Sequence, residues 1–333
     1  MFQKRKSQEI ICLTCLLDAR AGYAPSETKI GAKMITRKYT IGSAVFEAPA
    51  LAPGLYPVAT PIGNLRDITI RALETLAAAD ILACEDTRVT RVLLSRYGIT
   101  RKTYPYHEHN ADEIGARLIA ALKEGKSVAF CSDAGTPLVS DPGQRLVAAA
   151  RAASLPVYAI PGASAPLAAL AASGLSTEAF FFAGFLPHKG GPKLQRLRGL
   201  KDVPATLVFF EAPTRTGATL AAMSDVFGAN RMGTVARELT KAFEEVITAP
   251  LAELATRYAI DDPRGEIVLL VAPPPAAAQD QWSTAQVDAL LTDLAAEMPA
   301  SKAAAEAAKQ TGQNKGDLFK RISNLKHAGL GHG

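Results

Sequence analysis

Four short apolar runs, each closed by a turn of glycine, proline and small polar residues, constrain this chain more than any other feature. Residues 55–60 run into Pro61-Ile62-Gly63-Asn64, and residues 127–131 into a loop spanning 133–143. Residues 157–160 run into Pro161-Gly162-Ala163-Ser164-Ala165-Pro166, and residues 206–210 into Glu211-Ala212-Pro213-Thr214-Arg215. A short apolar run followed by a helix-period segment reads as a strand buried on both faces. Such strands alternating with helices form a parallel sheet covered on both sides. Ligands then sit beyond the carboxyl ends of the strands, where bare backbone can approach them. By that rule the loop 133–143, with its two glycines and two prolines, is the strongest candidate for a binding element.

The alternation predicts strands at 55–60, 81–85, 104–107, 127–131 and 157–160. Helices are expected at 67–78 (capped by Asp67), 87–97, 111–123 and 144–153. These make an N-terminal α/β domain over 54–161. A helix at 165–173 leads into strands at 179–185, 206–210, 233–238, 245–248 and 266–271, with helices at 192–200, 214–227 and 251–258. This is a C-terminal α/β domain over 162–272. No helix separates 233–238 from 245–248, so a hairpin and a mixed sheet are expected. A Pro/Ala-rich linker, 273–282, precedes a small helical module at 283–327, with Ser301 and Asn314 as N-caps and Gly312 as a stop. Residues 1–53 lack sustained periodicity and read as a mostly disordered extension, with Met34 an alternative start. Phe180-Phe181-Phe182 reads as core.

The net charge of +5 is unevenly spread: residues 1–38 hold eight Lys/Arg against three Asp/Glu, and 301–333 hold six against two. The middle is therefore mildly acidic and the ends basic, as suits either a polyanionic partner or solvated tails. No apolar stretch approaches the ~20 residues of a membrane helix, so no membrane partner is expected. Four scattered cysteines fit a reducing, cytoplasmic setting. Cys12 and Cys15 have no second Cys/His pair nearby and read as incidental thiols, so no metal site is expected. There is no phosphate-binding G-x-x-x-x-G-K-[ST], no G-x-G-x-x-G, no G-x-S-x-G and no H-E-x-x-H. Nucleotide triphosphatase, dehydrogenase, hydrolase and zinc-protease readings all lack support.

In order and spacing, residues 55–65 (LYPVATPIGNL), Cys84-Glu85-Asp86-Thr87-Arg88, the loop 133–143, Pro161-Gly162-Ala163-Ser164 and Arg237-Glu238-Leu239-Thr240-Lys241 resemble one family. It is the ribosomal RNA small subunit methyltransferase I family, of the tetrapyrrole-methylase-like class. The likeness runs from about Leu55 to the end, and residues 1–53 lie outside it. It implies two α/β domains of the tetrapyrrole-methylase type, a parallel and then a mixed sheet, with S-adenosyl-L-methionine between them. Carried over residue by residue, donor contacts fall on Thr60, Pro61, Gly63, Asp133, Gly135, Thr136, Pro137, Ser164 and Ala165. Ala212, Leu239 and Gly265 follow from the second domain. The implied acceptor is the ribose 2′-hydroxyl of cytidine 1402 in 16S ribosomal RNA, free or in the small subunit. The resemblance also implies a homodimer. Removing the hydroxyl proton calls for a general base. Candidates are Glu85, Asp86, Asp133 and Glu108, with Glu85 or Asp86 favoured because they end a strand facing the expected pocket, and with helix capping or a salt bridge to Arg88 as the competing role of Asp86. Arg66, Arg88, Arg91 and Arg237 are candidate phosphate contacts, and His107, His109, Tyr104 and Tyr106 could meet an unstacked base. The alternatives are a same-class methylase acting on a tetrapyrrole or a protein, and a non-catalytic RNA-binding ribosome-assembly protein.

Overall fold

A computed structural model describes residues 37–138, 140, 143–275 and 283–329. The first sheet contains β3 (Gly54–Pro57), β4 (Ile81–Cys84), β5 (Thr103–Pro105) and β6 (Ser127–Cys131), in the order β3-β6-β4-β5 with every pair parallel. Residues 157–160 extend its β3 edge through two isolated parallel bridges, Leu55 to Val157 and Val58 to Ile160. Four helices fill the crossovers: α1 (Ile70–Ala78), α2 (Thr87–Arg96), α3 (Ala111–Lys123) and α4 (Gln144–Ala152). Helix α1 shows why. Ala72, Leu73, Leu76 and Ala77 form one buried stripe, and each buried leucine is worth about 1.5–3 kcal/mol.

Its start corrects the sequence reading. Asp67 closes a separate 3-10 turn capped by Asn64, and it is the Thr69 hydroxyl that accepts from Ala72 N. A second correction concerns the expected disordered extension 1–53. Residues 1–36, Cys12, Cys15 and Met34 among them, lie outside the described residues. Residues 38–47 form a hairpin, β1 (Lys38–Ile41) with β2 (Ala44–Glu47). Tyr39 anchors it: its ring stacks on Phe46 and is buried in the cluster containing Leu73 and Tyr97.

The second sheet has the order β10-β9-β11-β8-β7, built from β7 (Phe180–Phe185), β8 (Thr206–Glu211), β9 (Met232–Arg237), β10 (Glu245–Pro250) and β11 (Ile267–Val271). Only β7 and β8 are parallel; the other pairs are antiparallel, so this sheet is mixed. Helices α5 (Ala165–Ser173), α6 (Gly190–Arg198), α7 (Thr216–Phe227) and α8 (Leu251–Arg257) complete it. Most of the phenylalanine run is not core: β7 is an edge strand, and Phe180 and Phe181 are 46% and 38% exposed, while Phe182 packs against the buried cluster of Val208, Ala236 and Leu270. A polar alternation that would have marked the edge is missing from the sequence.

Helices α9 (Thr284–Glu297), α10 (Ala300–Thr311) and α11 (Lys315–Gly329) enclose a small core of Val287, Leu291, Ala303, Ala307, Leu318 and Ile322. Gly312 ends α10 at φ 68°, but that helix begins at Ala300 with Pro299 as its cap, not Ser301. Among the described residues, no helix is long and apolar enough to cross a membrane.

Candidate active site

The carboxyl ends of the first sheet's strands and of β7 and β8, with the start of β11, meet at a cavity of about 280 Å³. The first domain contributes Ile62 and Ala134-Gly135-Thr136, the N-terminus of α5 contributes Ser164-Ala165-Pro166, and the second sheet contributes Phe185, Phe210, Glu211, Pro213 and 265–268. The loops are held by their own backbone. Thr60 N donates to Gly135 O (2.8 Å) and Gly135 N returns to Thr60 O (3.0 Å), a single antiparallel rung. Gly135 has φ 78°, a left-handed conformation that glycine adopts without strain. The Thr136 hydroxyl donates to Ala163 O at 3.2 Å, tying the second loop to the third. Gly162 lies so close to Ala59 that a Cβ there would sit 2.9 Å from the alanine methyl. Ser164 makes no capping bond to α5. Among the described residues, no lysine or arginine lines the cavity, whereas the carboxylates of Glu211 and Glu266 do.

Beside the Thr60–Gly135 rung, Thr60, Pro61, Ser132 and Asp133 line a second cavity of about 230 Å³ with Leu65 and the α2 residues Val89, Thr90, Val92 and Leu93. Here the strand ends β4 and β6 are stitched by carboxylates. Asp133 Oδ1 accepts from Asp86 N (2.9 Å), and Glu85 accepts from Asp133 N (3.4 Å). Burial raises the pKa of Asp133, partly offset by its bond from Asp86 N. Asp86 is the opposite case. Its side chain caps α2 through Arg88 N (2.8 Å) and pairs with the Arg88 guanidinium (2.6 Å). The Arg88 side chain and then its backbone N–H pull its pKa down to about 2. Cys131, wholly enclosed beneath these residues, has its thiol pushed up to about 12 by burial, so it packs rather than reacts.

A family model described as tetrapyrrole (corrin/porphyrin) methylases matches residues 54–255, and one described as the RsmI C-terminal HTH domain matches 283–326. A ribosomal RNA small subunit methyltransferase I of Mesorhizobium japonicum is 60% identical over 287 residues, covering 86% of this chain and 97% of that protein. The chain belongs to the ribosomal RNA small subunit methyltransferase I family. The member from Pseudomonas aeruginosa is 46% identical over 269 residues, covering 80% of this chain and 95% of its own length. Two solved structures share the fold at low identity. Diphthine synthase has a TM-score of 0.54 at 19% identity, covering 66% of this chain and 89% of that one. A cobalt precorrin-4 methyltransferase has 0.52 at 17%, covering 66% and 94%.

In this family member, Gly135, Thr136, Ser164, Ala165 and Gly265 line the larger cavity, and Thr60, Pro61 and Asp133 line the smaller one. Pro137 is buried and lines neither cavity. Leu239 packs in the core with Ile62, and Ala212 N is held by the Glu211 carboxylate at 2.8 Å. Gly63 lies against the side chains of Lys241 and Thr240, so its missing Cβ serves the contact between the domains. Arg66, Arg88 and Arg91 are exposed, with Arg88 spent partly on Asp86. Arg237 is half-buried and pairs with Glu245 at 3.5 Å. Tyr106 is buried edge-on against Phe130, which removes it from any base contact; Tyr104 stays exposed under Lys102. His107 and Glu108 sit at a 3-10 turn, and the His107 ring stands 5.9 Å from that of His109. Sequence reasoning named the loops that hold Ile62, Ala134, Ser140, Pro166, Glu211 and Pro213 without singling out those residues, and it missed Phe185, Phe210 and 266–268. The strand-end rule pointed to several of these; the return of β11 between β8 and β9, which brings 265–268 to the cavity, left no local signal.

Proposed function

We propose that this protein transfers a methyl group from S-adenosyl-L-methionine to the ribose 2′-hydroxyl of cytidine 1402 in 16S ribosomal RNA, with the small-subunit RNA or its subunit as partner. The observation that carries this reading is the larger cavity, whose lining among the described residues holds two carboxylates, several apolar side chains and no cation. That lining fits a sulfonium ligand: a lysine or arginine would repel it, and apolar walls keep out competing water. Bound there, the donor supplies an electrophilic methyl carbon.

The chain's own work is positioning and proton transfer. Ala134-Gly135-Thr136 offers backbone groups on one wall, fixed by the Thr60–Gly135 rung. The N-terminus of α5, with the uncommitted Ser164 hydroxyl, suits the donor's carboxylate on another. Holding the reactants at near-attack distance supplies much of the rate. On the acceptor side, Asp133 is the better base: burial raises its pKa above the ordinary aspartate value, whereas Asp86 at about 2 binds protons too weakly. Arg66, Arg88 and Arg91 offer exposed guanidinium groups to the RNA backbone. The reading includes a homodimer, for which the exposed edge strand β7 is an available apolar surface.

Nucleotide-resolution mapping of 2′-O-methylation in small-subunit RNA, from cells lacking the gene, tests the assignment. One cytidine mark should vanish and return with the intact gene but not with Asp133→Ala. An unchanged map sinks the proposal.

A further inference from the structure

Phe185 forms one wall of the larger cavity although it sits on an edge strand and is 59% exposed. Residues 182 and 185 on a regular strand would face opposite sides of the sheet. A register shift between Phe182 and Gly184, with Gly184 at φ 67°, turns the strand so that both rings reach Phe210. Phe182 meets it at 5.0 Å and Phe185 at 5.4 Å between ring centroids. A bulged edge strand is a weak mount for a binding wall unless something holds its end.

Arg215 holds it. Its Nη2 donates to Leu186 O (2.9 Å), the carbonyl directly after Phe185, and to Glu211 Oε2 (3.3 Å) at the end of β8. Nε stands 3.0 Å from Glu211 Oε1 as an ion pair without an aligned N–H, and Nη1 lies 2.8 Å from His188 Nδ1. Glu211 is itself fixed. Its side chain is 1% exposed and also accepts from Ala212 N (2.8 Å) and Thr219 Oγ1 (2.6 Å), and that hydroxyl in turn accepts from buried Lys193 Nζ (3.0 Å). The guanidinium thus spans the ends of two neighbouring strands whose last residues both line the cavity. A lysine, with one point of attachment, cannot make that fork.

We infer that Arg215, seated on Glu211, is a positioning residue that sets methyl-donor affinity by holding Phe185 against Phe210. This rests on the methyl-donor reading of the cavity. Calorimetric titration of the full chain with S-adenosylhomocysteine tests it, comparing wild type with Arg215→Met, Arg215→Lys, Phe185→Ala and the Arg215→Met/Phe185→Ala double variant. Each single variant should bind about tenfold more weakly, and the double variant no more weakly than the worse single, because both changes remove one wall. The KM for donor should rise in step, while the KM for RNA and kcat at saturating donor stay within about threefold. If Arg215→Met fails to fold, Glu211→Gln/Arg215→Gln, which removes both buried charges together, replaces it in the same cycle. Wild-type affinity in the Arg215 variants, or a double variant weakened by the full product of the singles, overturns the inference. No binding by the wild type overturns the donor reading and the inference with it.

Discussion

Asp86 and Asp133 share a hydrogen bond, yet their surroundings drive their proton affinities apart. For Asp86, pairing with Arg88 lowers the folded value to about 2. Its contribution to stability is therefore complete above the unfolded value of about 3.9 and is lost as pH falls through the folded one. Asp133 runs the other way. Burial raises its folded pKa, so its contribution to stability is complete below the unfolded value and is lost as pH rises through the folded one. As a base Asp133 must be ionised, so the transfer rate should rise with pH through its raised folded pKa, above the value of an unperturbed aspartate. Asp133→Asn preserves the acceptor for Asp86 N but not the basicity, and single-turnover transfer should fall about 10²–10⁴-fold with that pH limb gone. Asp86→Asn should cost less than about tenfold. A near-wild-type rate in Asp133→Asn would falsify the assignment of the base.

At the scale of elements, glycines that look alike in the sequence carry opposite expectations. Gly217, in α7, faces Tyr258 O at the end of α8, so a Cβ there would collide with backbone that cannot rotate away. Gly191, in the first turn of α6, has open space and no positive φ. Urea unfolding should show Gly217→Ala destabilised by about 1–3 kcal/mol. Gly191→Ala should be stabilised by up to about 1 kcal/mol. Equal shifts in the two variants would contradict the packing described. What the sequence revealed follows the same division between local and distant. The ranges 111–123, 127–131 and 165–173 were legible because apolar periodicity and flanking glycines act within one element. Thr69 was passed over for Asp67 because both are good caps and only the following helix face decides between them. The Phe180–Phe182 run looked like core because apolar composition does not say whether a strand is central or at an edge. At the site, loops named from their turn chemistry split between two cavities, since no local pattern tells which cavity a residue lines.

Across the whole molecule, the larger cavity exists only while the two α/β domains keep their relative placement, and one loop of the second domain secures it. Asn64 N donates to Thr240 Oγ1 (3.1 Å), Leu239 packs with Ile62, and the Lys241 stem lies on Gly63. That loop is strained: Glu238 and Thr240 sit at φ 51° and 66°, each costing roughly 1–3 kcal/mol. The strain persists because its residues are bound on several sides. Glu238 Oε1 accepts from Lys241 Nζ (2.7 Å) and Glu266 N (3.0 Å), and Glu244 accepts from Thr240 N (2.5 Å). Lys241 Nζ also reaches Glu266, itself a wall of the cavity, at 3.1 Å. Lys241→Met keeps the stem on Gly63 but frees both carboxylates, so the loop can relax from the left-handed region and loosen the seam. Hydrogen exchange should then speed up at 61–64 and 238–241 together. Affinity for S-adenosylhomocysteine should drop by about 0.5–2 kcal/mol. The Lys241 ammonium, and then the Glu266 N–H, lower the Glu238 pKa. The Glu238 contribution to the wild-type seam should therefore persist as pH falls below the unperturbed glutamate value and be lost as pH passes through the lowered folded one, a resistance the variant lacks. Were exchange to quicken at 238–241 alone, with affinity intact, the loop would be strained for reasons unrelated to holding the domains together.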